Sequence, residues 1–384
     1  MMLTFLIAIN CIIQIKVDVI TVDIVRYYFE RPLIIVKFPN ENKEDKVLLN
    51  TRLSFSTFKY QDEEYINNHI IKNETICLDK NYDSVLYRTN VSLMTDIMIN
   101  DLSMYIIPNG ANMYYIDKGL ALGYHIEEEF SIVHQLYKNK KIDHLKFAFH
   151  NIRDTAKSSH FFIGGIPNEE HLTLPYKGVI KVDESLPSWG FNVDKVVFNN
   201  TEYDLNVKAV ISSTSQYMII SDDLFILLRK KVLKKYYDKD ICYIKTDEDE
   251  YNQRGIECIE KINISDTYSF IMNGVKIDFK SNILFNQLNY NFHSNGQGEL
   301  KVNNFTGIIL GPSFLSQFNY TLFDYENKQI EFYSDNILIK KEENKKEFLL
   351  RHNIRYIYIV IDIFCLFSIL LGSINKILNR NNKV

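Results

Sequence analysis

A hydroxyl-rich turn is the first place in this 384-residue sequence where side chains could do chemistry. The apolar run Ala209 to Ile211 ends in small hydroxyl residues, Ser212 to Ser215, and the apolar run Tyr217 to Ile220 follows. This order predicts a strand, a tight turn and a second strand. A serine nucleophile there would need a base such as His134 or His150. No nucleophile-elbow glycines flank the turn, so we reject a serine hydrolase.

Other reactive side chains have simpler interpretations. Asp222 and Asp223 are adjacent carboxylates, but a Ser-Asp-Asp sequence before an amphipathic stretch is typical of a helix cap. The nine His residues are scattered without the spacing of metal ligands, so the sequence predicts no metal site. No motif indicates a cofactor. The net charge of −4 gives no electrostatic case for binding nucleic acid.

The elements that must position these side chains are mostly strands. The 25 Tyr and 25 Phe residues favour strands, and helix-forming Ala is scarce, which predicts an all-β fold. A strand, a turn, an apolar strand with glycine and a short helix occur in this order at Asn50 to Tyr137 and again at Ser212 to Phe318. The length also suits more than one domain. We therefore predict two β lobes, at residues 18–185 and 186–335.

Local patterns predict several individual elements. The alternation of Val25 to Val36 predicts a long strand or a hairpin arm, and the alternation of Asp83 to Asp101 predicts a hairpin. Asn273-Gly274 is the strongest turn signal of the chain and predicts a hairpin over Tyr268 to Phe279. Phe130 to Tyr137 has helical spacing.

A hydrophobic segment lies at each end of the chain. Met2 to Ile15 fits the core of a signal peptide at residues 1–17 better than a membrane span, with a buried N-terminal strand as the alternative. Tyr356 to Ile374 is long enough to cross a bilayer, which predicts a transmembrane helix at residues 355–375 in spite of Asp362.

These segments predict a single-pass type I membrane protein of the secretory pathway or the cell surface. A charged stalk at residues 336–354 would precede the membrane, and residues 376–384 would form a cytosolic tail. Cys242 and Cys258 enclose a short acidic stretch and are predicted to form a disulfide in an oxidising compartment. Sequons that would permit glycosylation begin at Asn73, Asn90, Asn199, Asn263, Asn304 and Asn319.

Several stretches resemble landmarks of the pepsin-like aspartic peptidases. Asp117 to Tyr124 resembles the family sequence Asp-Gly-Ile-Leu-Gly-Leu-Gly-Tyr, and Phe130 to Leu136 resembles the helix that follows it. Phe162 to Ile166 resembles the family's Phe-Gly-Gly-Ile turn. Trp189 stands where the family has an aromatic strand opening the second lobe.

The resemblance continues in the second half. Ile309 to Leu315 is similar to Ile-Leu-Gly-Asp-X-Phe-Leu, and Leu322 to Ile330 is similar to the closing hairpin Val-Phe-Asp-X-X-Asn-X-X-Ile. The landmarks keep the family's order over roughly residues 25 to 335. The resemblance implies a bilobal pepsin-like fold with a deep cleft between two β lobes.

The two catalytic landmarks depart from the family pattern. Each should read Asp-Thr-Gly after a hydrophobic residue, but this chain has Asn50-Thr51-Arg52 and Ser212-Ser213-Thr214. The family's chemistry needs two carboxylates that share a proton, one acting as base on a water and the other as acid. Asn50 and Ser212 cannot titrate in this way. The resemblance therefore implies a protein without an intact catalytic site.

The resemblance also identifies residues that would line the cleft. They are Thr51, Arg52, Tyr87, Ser213 and Thr214, of which Tyr87 fits the family's flap tyrosine. Arg52 would bind an acidic group of a ligand or pair with a neighbouring carboxylate, and we favour the second interpretation.

We therefore expect a pseudoprotease that binds a peptide or protein partner. Two alternatives stay open. The first is an atypical active aspartic endopeptidase with displaced carboxylates, which would require two acids facing each other across the cleft. The second is a structural membrane or surface protein whose cleft is filled by its own side chains. The sequence does not indicate an oligomeric state.

Overall fold

The structure is a computed structural model that describes residues 19–27, 31–38, 43–59, 70–77, 81–93, 97–107, 118–152, 159–198, 200–215, 218–246, 254–258, 268–279, 292–294, 307–337 and 339–341. The chain divides into two compact units, residues 1–340 and 341–384, and the elements below belong to the first apart from Lys341.

Both predicted hydrophobic end segments, at residues 1–17 and 355–375, lie outside the described residues. Among the residues that are described, no helix has the length and apolar character to cross a membrane.

Strands dominate the described residues, which confirms the prediction of a mostly-β fold. The strands before residue 186 are β1 (Ile20–Asp23), β2 (Val25–Tyr27), β3 (Arg31–Phe38), β4 (Lys43–Asn50), β5 (Thr57–Lys59), β6 (Ile70–Cys77), β7 (Asn81–Leu93), β8 (Met98–Ile107), β9 (Lys118–Ala121), β10 (Lys146–His150), β11 (His160–Ile163) and β12 (Tyr176–Lys181).

The later strands are β13 (Gly190–Phe198), β14 (Thr201–Ile211), β15 (Ile219–Ile220), β16 (Cys242–Thr246), β17 (Arg254–Cys258), β18 (Tyr268–Met272), β19 (Val275–Phe279), β20 (Phe292–Ser294), β21 (Ile308–Leu310), β22 (Tyr320–Asp324), β23 (Gln329–Ser334) and β24 (Ile339–Lys341). The α-helices are α1 (Ile132–Lys138), α2 (Asp222–Lys231), α3 (Lys234–Tyr237) and α4 (Pro312–Leu315), and 3₁₀ turns occur at Glu128–Phe130 and Glu169–His171.

The strands form three sheets. An eight-stranded sheet, in the order β2-β3-β4-β9-β5-β8-β7-β6, comes wholly from the first half of the chain. A ten-stranded sheet, β16-β17-β20-β15-β21-β14-β13-β18-β19-β24, comes wholly from the second half. A six-stranded sheet, β1-β11-β10-β22-β23-β12, contains strands from both halves. Residues 1–340 nevertheless form one compact unit, so the lobe boundary at residue 185 stays a prediction.

An aromatic core covers the six-stranded sheet. Phe147 on β10 pairs with Phe323 on β22, and their rings stack with centroids 4.6 Å apart. Trp189 is fully buried, with its ring edge-on to both of these phenylalanines. Offset stacked and edge-to-face contacts between buried rings add stability beyond the area they bury. This core therefore ties the two halves of the chain together.

Local sequence signals predicted the hairpins and the helix well. β18 and β19 pair antiparallel around Asn273 and Gly274, whose φ angles of 49° and 73° are those that an Asn-Gly turn supplies. β7 with β8 is the hairpin expected at Asp83, whereas the stretch that begins at Val25, predicted as a long strand or a hairpin arm, is divided into two paired strands, β2 and β3. The predicted helix at Phe130 begins two residues later, because Ser131 caps it by accepting a hydrogen bond from the His134 N–H.

The predicted stalk begins too early. Ile337 and Ile339 are buried, at 3% and 6% exposure, and β24 is the edge strand next to β19 in the ten-stranded sheet. Apolar residues that alternate along an extended segment favour a half-buried strand over a solvated stalk. The described residues 336–337 and 339–340 are therefore part of the first compact unit.

Candidate functional site

The two candidate turns follow strands of the same design. The first turn follows β4, whose residue Asn50 pairs in parallel with Ala121 on β9. The second follows β14, whose residue Ile211 pairs in parallel with Leu310 on β21. In each case one further backbone bond holds the turn, from the Leu122 N–H to the Asn50 carbonyl at 2.8 Å, and from the Ser212 N–H to the Leu310 carbonyl at 2.9 Å.

A ring of reciprocal hydrogen bonds joins the two turns, and we call it the clasp (Thr51 with Ile211, and Ser213 with Leu49). The Thr51 hydroxyl donates to the Ile211 carbonyl at 3.0 Å and accepts from the Ser213 N–H at 2.9 Å. The Ser213 hydroxyl donates to the Leu49 carbonyl and accepts from the Thr51 N–H at 3.0 Å. Thr51 and Ser213 are fully buried, so each bond satisfies a group that has lost its water.

Neighbouring side chains hold the backbone next to the clasp through further hydrogen bonds. The Ser188 hydroxyl donates to the Thr51 carbonyl. The Trp189 indole N–H donates to the Leu122 carbonyl at 2.6 Å, and the Tyr325 hydroxyl donates to the Gly123 carbonyl at 3.2 Å. Burial, the largest influence, raises the pKa of the Tyr325 hydroxyl, which stays protonated as a donor. These contacts hold the apolar strand beside the first turn.

Gly123 has no room for a side chain. Its N–H donates to the Leu53 carbonyl at 2.9 Å, and a Cβ at this position would overlap that carbonyl oxygen and lie 2.9 Å from the carbonyl carbon. The glycine is therefore required for close approach of two backbones.

The two positions that would carry catalytic carboxylates are buried and cannot ionise. Asn50 is 5% exposed, and its Oδ1 accepts from the Arg52 N–H at 3.0 Å. Ser212 is fully buried, and its Oγ accepts from the Ser215 N–H at 3.0 Å. In the described part of the chain, no carboxylate hydrogen-bonds to either side chain. The arrangement can donate and accept hydrogen bonds, but these two groups cannot share a proton as a carboxyl pair does.

Arg52 is a partly exposed cation beside this pair. Its guanidinium has no hydrogen bond or ion pair with any described residue, so the predicted pairing with a neighbouring carboxylate is absent there. Desolvation by burial lowers the pKa of Arg52 to about 10, which still leaves the side chain charged at neutral and acidic pH. The position therefore carries a positive charge without a counter-ion in the described structure.

The other predicted cleft residues have mainly structural positions. Thr214 is 8% exposed, and the hydroxyls of Thr51 and Ser213 are used in the clasp. Tyr87, which was matched to the family's flap tyrosine and predicted to line the cleft, packs in the core instead. It lies six residues before the end of β7, pairs with Met104 in mid-strand and is 3% exposed within the main core. Alternation along the strand turns this ring inward, and a sequence match cannot detect that.

The histidines considered as bases lie elsewhere. His134 Nδ1 is 2.8 Å from the Ser131 hydroxyl that caps α1, and burial lowers its pKa against the opposing effect of Glu128. His150 Nδ1 is 3.2 Å from His160 Nδ1 on the next strand. Neither contacts Ser212. In the described ranges, no group of three or more His, Cys, Asp or Glu side chains is arranged to hold a metal ion.

The remaining predicted residues are placed as follows. Ser221 caps α2 by accepting from the Leu224 N–H, which confirms the interpretation of the Ser-Asp-Asp sequence as a helix start. Cys242 and Cys258 are directly opposite each other in the β16–β17 pair, a register compatible with the predicted disulfide, which stays a prediction.

Glycosylation also stays a prediction. The side chains of Asn90 and Asn319 accept backbone hydrogen bonds from Asp101 and Asp335, and Asn73 lies on β6. The other three sequons, at Asn199, Asn263 and Asn304, lie outside the described residues.

Sequence reasoning missed the clasp and its supports. The hydroxyl residues were visible, but the bond between Thr51 and Ser213 spans 162 positions of the chain. Ser188 gave no signal of its own beyond its position next to Trp189. A repeated strand-turn unit with a hydroxyl residue in the middle of each turn is the feature that could have indicated a reciprocal contact.

Comparison with known proteins identifies the family. The model of the eukaryotic aspartyl protease family matches residues 117–334, which is more than half of the chain. The chain therefore belongs to the eukaryotic aspartyl proteases, as the sequence landmarks predicted.

Among solved structures, the aspartic proteinase from Irpex lacteus superposes with a TM-score of 0.60 at 12% sequence identity. The match covers 83% of this chain and 98% of that one, and at this identity it establishes the pepsin-like fold alone. No curated protein matches the sequence.

Proposed function

We propose that this protein is a catalytically inactive member of its family that binds a peptide or protein partner. The observation that carries the proposal is the contrast between the clasp and the residues beside it. The hydrogen bonds that hold the two turns together are complete, while the two positions for carboxylates hold Asn50 and Ser212. A scaffold that keeps its geometry without its acids favours binding over hydrolysis.

The chemical argument against hydrolysis rests on proton transfer. Aspartic peptidases need one ionised and one protonated carboxyl in contact, which like-charge repulsion arranges by separating their pKa values. An amide and a hydroxyl do not titrate between pH 2 and pH 8. Arg52 beside them would also stabilise any nearby carboxylate as an anion and oppose its protonation at the pH where such enzymes work.

The test is a cleavage assay with the purified full-length chain at pH 3 to 5, using a quenched fluorescent peptide library, beside pepstatin binding. A family enzyme with both aspartates is the positive control. We expect no turnover above the blank. Turnover that is inhibited by pepstatin and lost in the variant N50A/S212A would overturn the proposal. Such turnover would support the alternative of an active endopeptidase. A chain that neither cleaves nor binds any peptide would support the alternative of a structural surface protein.

We also propose that the protein is anchored in the membrane of the secretory pathway or at the cell surface as a single-pass type I protein. The support is the apolar character of residues 1–17 and 355–375. We expect glycosidase treatment to shift the electrophoretic mobility of the expressed chain. We also expect a C-terminal tag to be accessible only from the cytosol. An unglycosylated chain in the soluble fraction would contradict it.

A further inference from the structure

Three residues adjacent in sequence to Thr51 and Ser213 of the clasp, namely Asn50, Arg52 and Ser212, have hydrogen-bond donors without an acceptor among the described residues, and we call this set the donor face. The Asn50 Oδ1 is occupied by the Arg52 N–H, and its amide Nδ2 has no acceptor among the described residues. The Ser212 Oγ accepts from the Ser215 N–H, and its own hydroxyl hydrogen likewise has no acceptor there. Asn50 and Ser212 are both at least nine-tenths buried.

Arg52 adds a charge to these donors. It directly follows Thr51 of the clasp, and its backbone bond to Asn50 holds the first turn, which carries both Asn50 and Arg52. A desolvated guanidinium is unfavourable unless an anion or strong acceptors surround it. Neither is present among the described residues, and because Arg52 is only partly buried, water solvates it in the free protein and an anionic ligand would take the place of that water.

The donor face reverses the polarity of the family's site. Two aspartates at these positions would present acceptors and negative charge, whereas an amide, a hydroxyl and a guanidinium present donors and positive charge. A guanidinium matches a carboxylate in shape, since it can give two parallel N–H bonds to the two oxygens. The Asn50 amide can donate to a remaining lone pair, while the fully buried Ser212 adds a neutral group where the family has a second carboxylate.

We propose that the donor face binds a carboxylate of a peptide ligand, which specifies the ligand class of the binding function proposed above and rests on it. The carboxylate belongs either to an Asp or Glu side chain or to the C-terminus of the peptide. Both sources have the same planar, doubly accepting anion, and the experiment distinguishes them. Basic and uncharged peptides would leave the guanidinium desolvated and without a partner.

The test is selection of peptides on the immobilised full-length chain, kept in a mild non-ionic detergent. The probes are four octapeptide pools, with free or amidated C-termini and with or without Asp and Glu. We expect the wild-type chain to retain one carboxylate-bearing pool at least tenfold better than the amidated pool without acids, as loss of a charged hydrogen bond would imply. Retention is expected to fall below about pH 4, where the carboxylate becomes protonated.

Variants assign the effect to the site. R52Q is expected to remove the acidic preference, and R52K to keep part of it because the charge remains. R88Q is the matched control, since Arg88 is exposed and already pairs with Glu129 at 2.9 Å. Thermal melting curves would show whether each variant is folded. If R52Q does not fold, R52K still tests the role of the guanidinium, because it keeps the charge.

The outcomes separate the two proposals. Peptides retained without acidic preference, or a preference that survives R52Q, would overturn the role of the donor face and leave peptide binding intact. No retention of any pool by the wild-type chain would overturn both. A preference for free over amidated C-termini identifies the terminal carboxylate, and a preference for Asp and Glu in both forms identifies the side chain.

Discussion

Removing the Thr51 hydroxyl is expected to destabilise the protein strongly. Thr51→Val keeps the shape of the side chain but leaves the Ser213 N–H and the Ile211 carbonyl without the partners that they have at 2.9 and 3.0 Å. Each buried polar group left unsatisfied costs about 1–3 kcal/mol, so the variant is expected to lose roughly 2–6 kcal/mol of unfolding free energy. Urea denaturation followed by tryptophan fluorescence would measure this loss, because Trp189 lies in the adjacent core.

Thr89→Val is the matched control. Thr89 is also a buried threonine of the same sheet, at 4% exposure, but its hydroxyl has no hydrogen-bond partner. Replacing it should be neutral or stabilising, since no group loses a partner and one unsatisfied hydroxyl disappears. The same chemical change is thus made once inside the clasp and once outside it.

A double-mutant cycle tests whether the clasp acts as one unit. Ser213→Ala removes the other two bonds, to the Thr51 N–H and the Leu49 carbonyl. Because all four bonds close one ring, either single change should loosen the bonds that remain. The double variant is then expected to cost less than the sum of the two, with a coupling of about 0.5–3 kcal/mol. A Thr51→Val variant no less stable than Thr89→Val would refute the reasoning.

Two further predictions concern the surrounding scaffold. Gly123→Ala should lower the unfolding free energy by about 1–3 kcal/mol because its Cβ meets the Leu53 backbone. Gly119→Ala is the control and should cost clearly less, since the nearest atoms to its Cβ are 3.6 Å away. Equal losses in thermal stability would contradict this steric account. Asp324 is fully buried and pairs with Lys146 at 3.1 Å; burial alone would raise the pKa of its carboxyl, but the hydrogen bonds and the ion pair outweigh this and hold the pKa below its ordinary value. The ionised Asp324 therefore contributes to the unfolding free energy above about pH 4, and this contribution is lost as the pH falls through the folded-state pKa. The stability difference between the wild type and Asp324→Asn should shrink from pH 6 to pH 2. A difference that does not change with pH would refute this.

Much of the architecture followed from local sequence. Asn273-Gly274 specifies its hairpin because both residues accept positive φ angles, and Ser131 and Ser221 mark helix starts because their hydroxyls satisfy free N–H groups. The alternation at Asp83 was sufficient to predict a strand pair. These features depend on residues close in sequence, so they can be read without the fold.

The chemistry of the site was also determined by the sequence alone. Asn50 and Ser212 cannot ionise in any arrangement, and this property of the side chains does not depend on the coordinates. The structure places both positions at the ends of strands of the same design, with Asn50 as the last residue of β4 and Ser212 directly after β14.

The tertiary structure decided the partners of these residues. Thr51 and Ser213 bond across 162 positions, Tyr87 turns into the core rather than to a hairpin tip, and Arg52 has no carboxylate partner among the described residues. Each outcome depends on which strands become neighbours and which face of a strand is buried. Those are long-range choices of packing and register, and local propensities do not encode them.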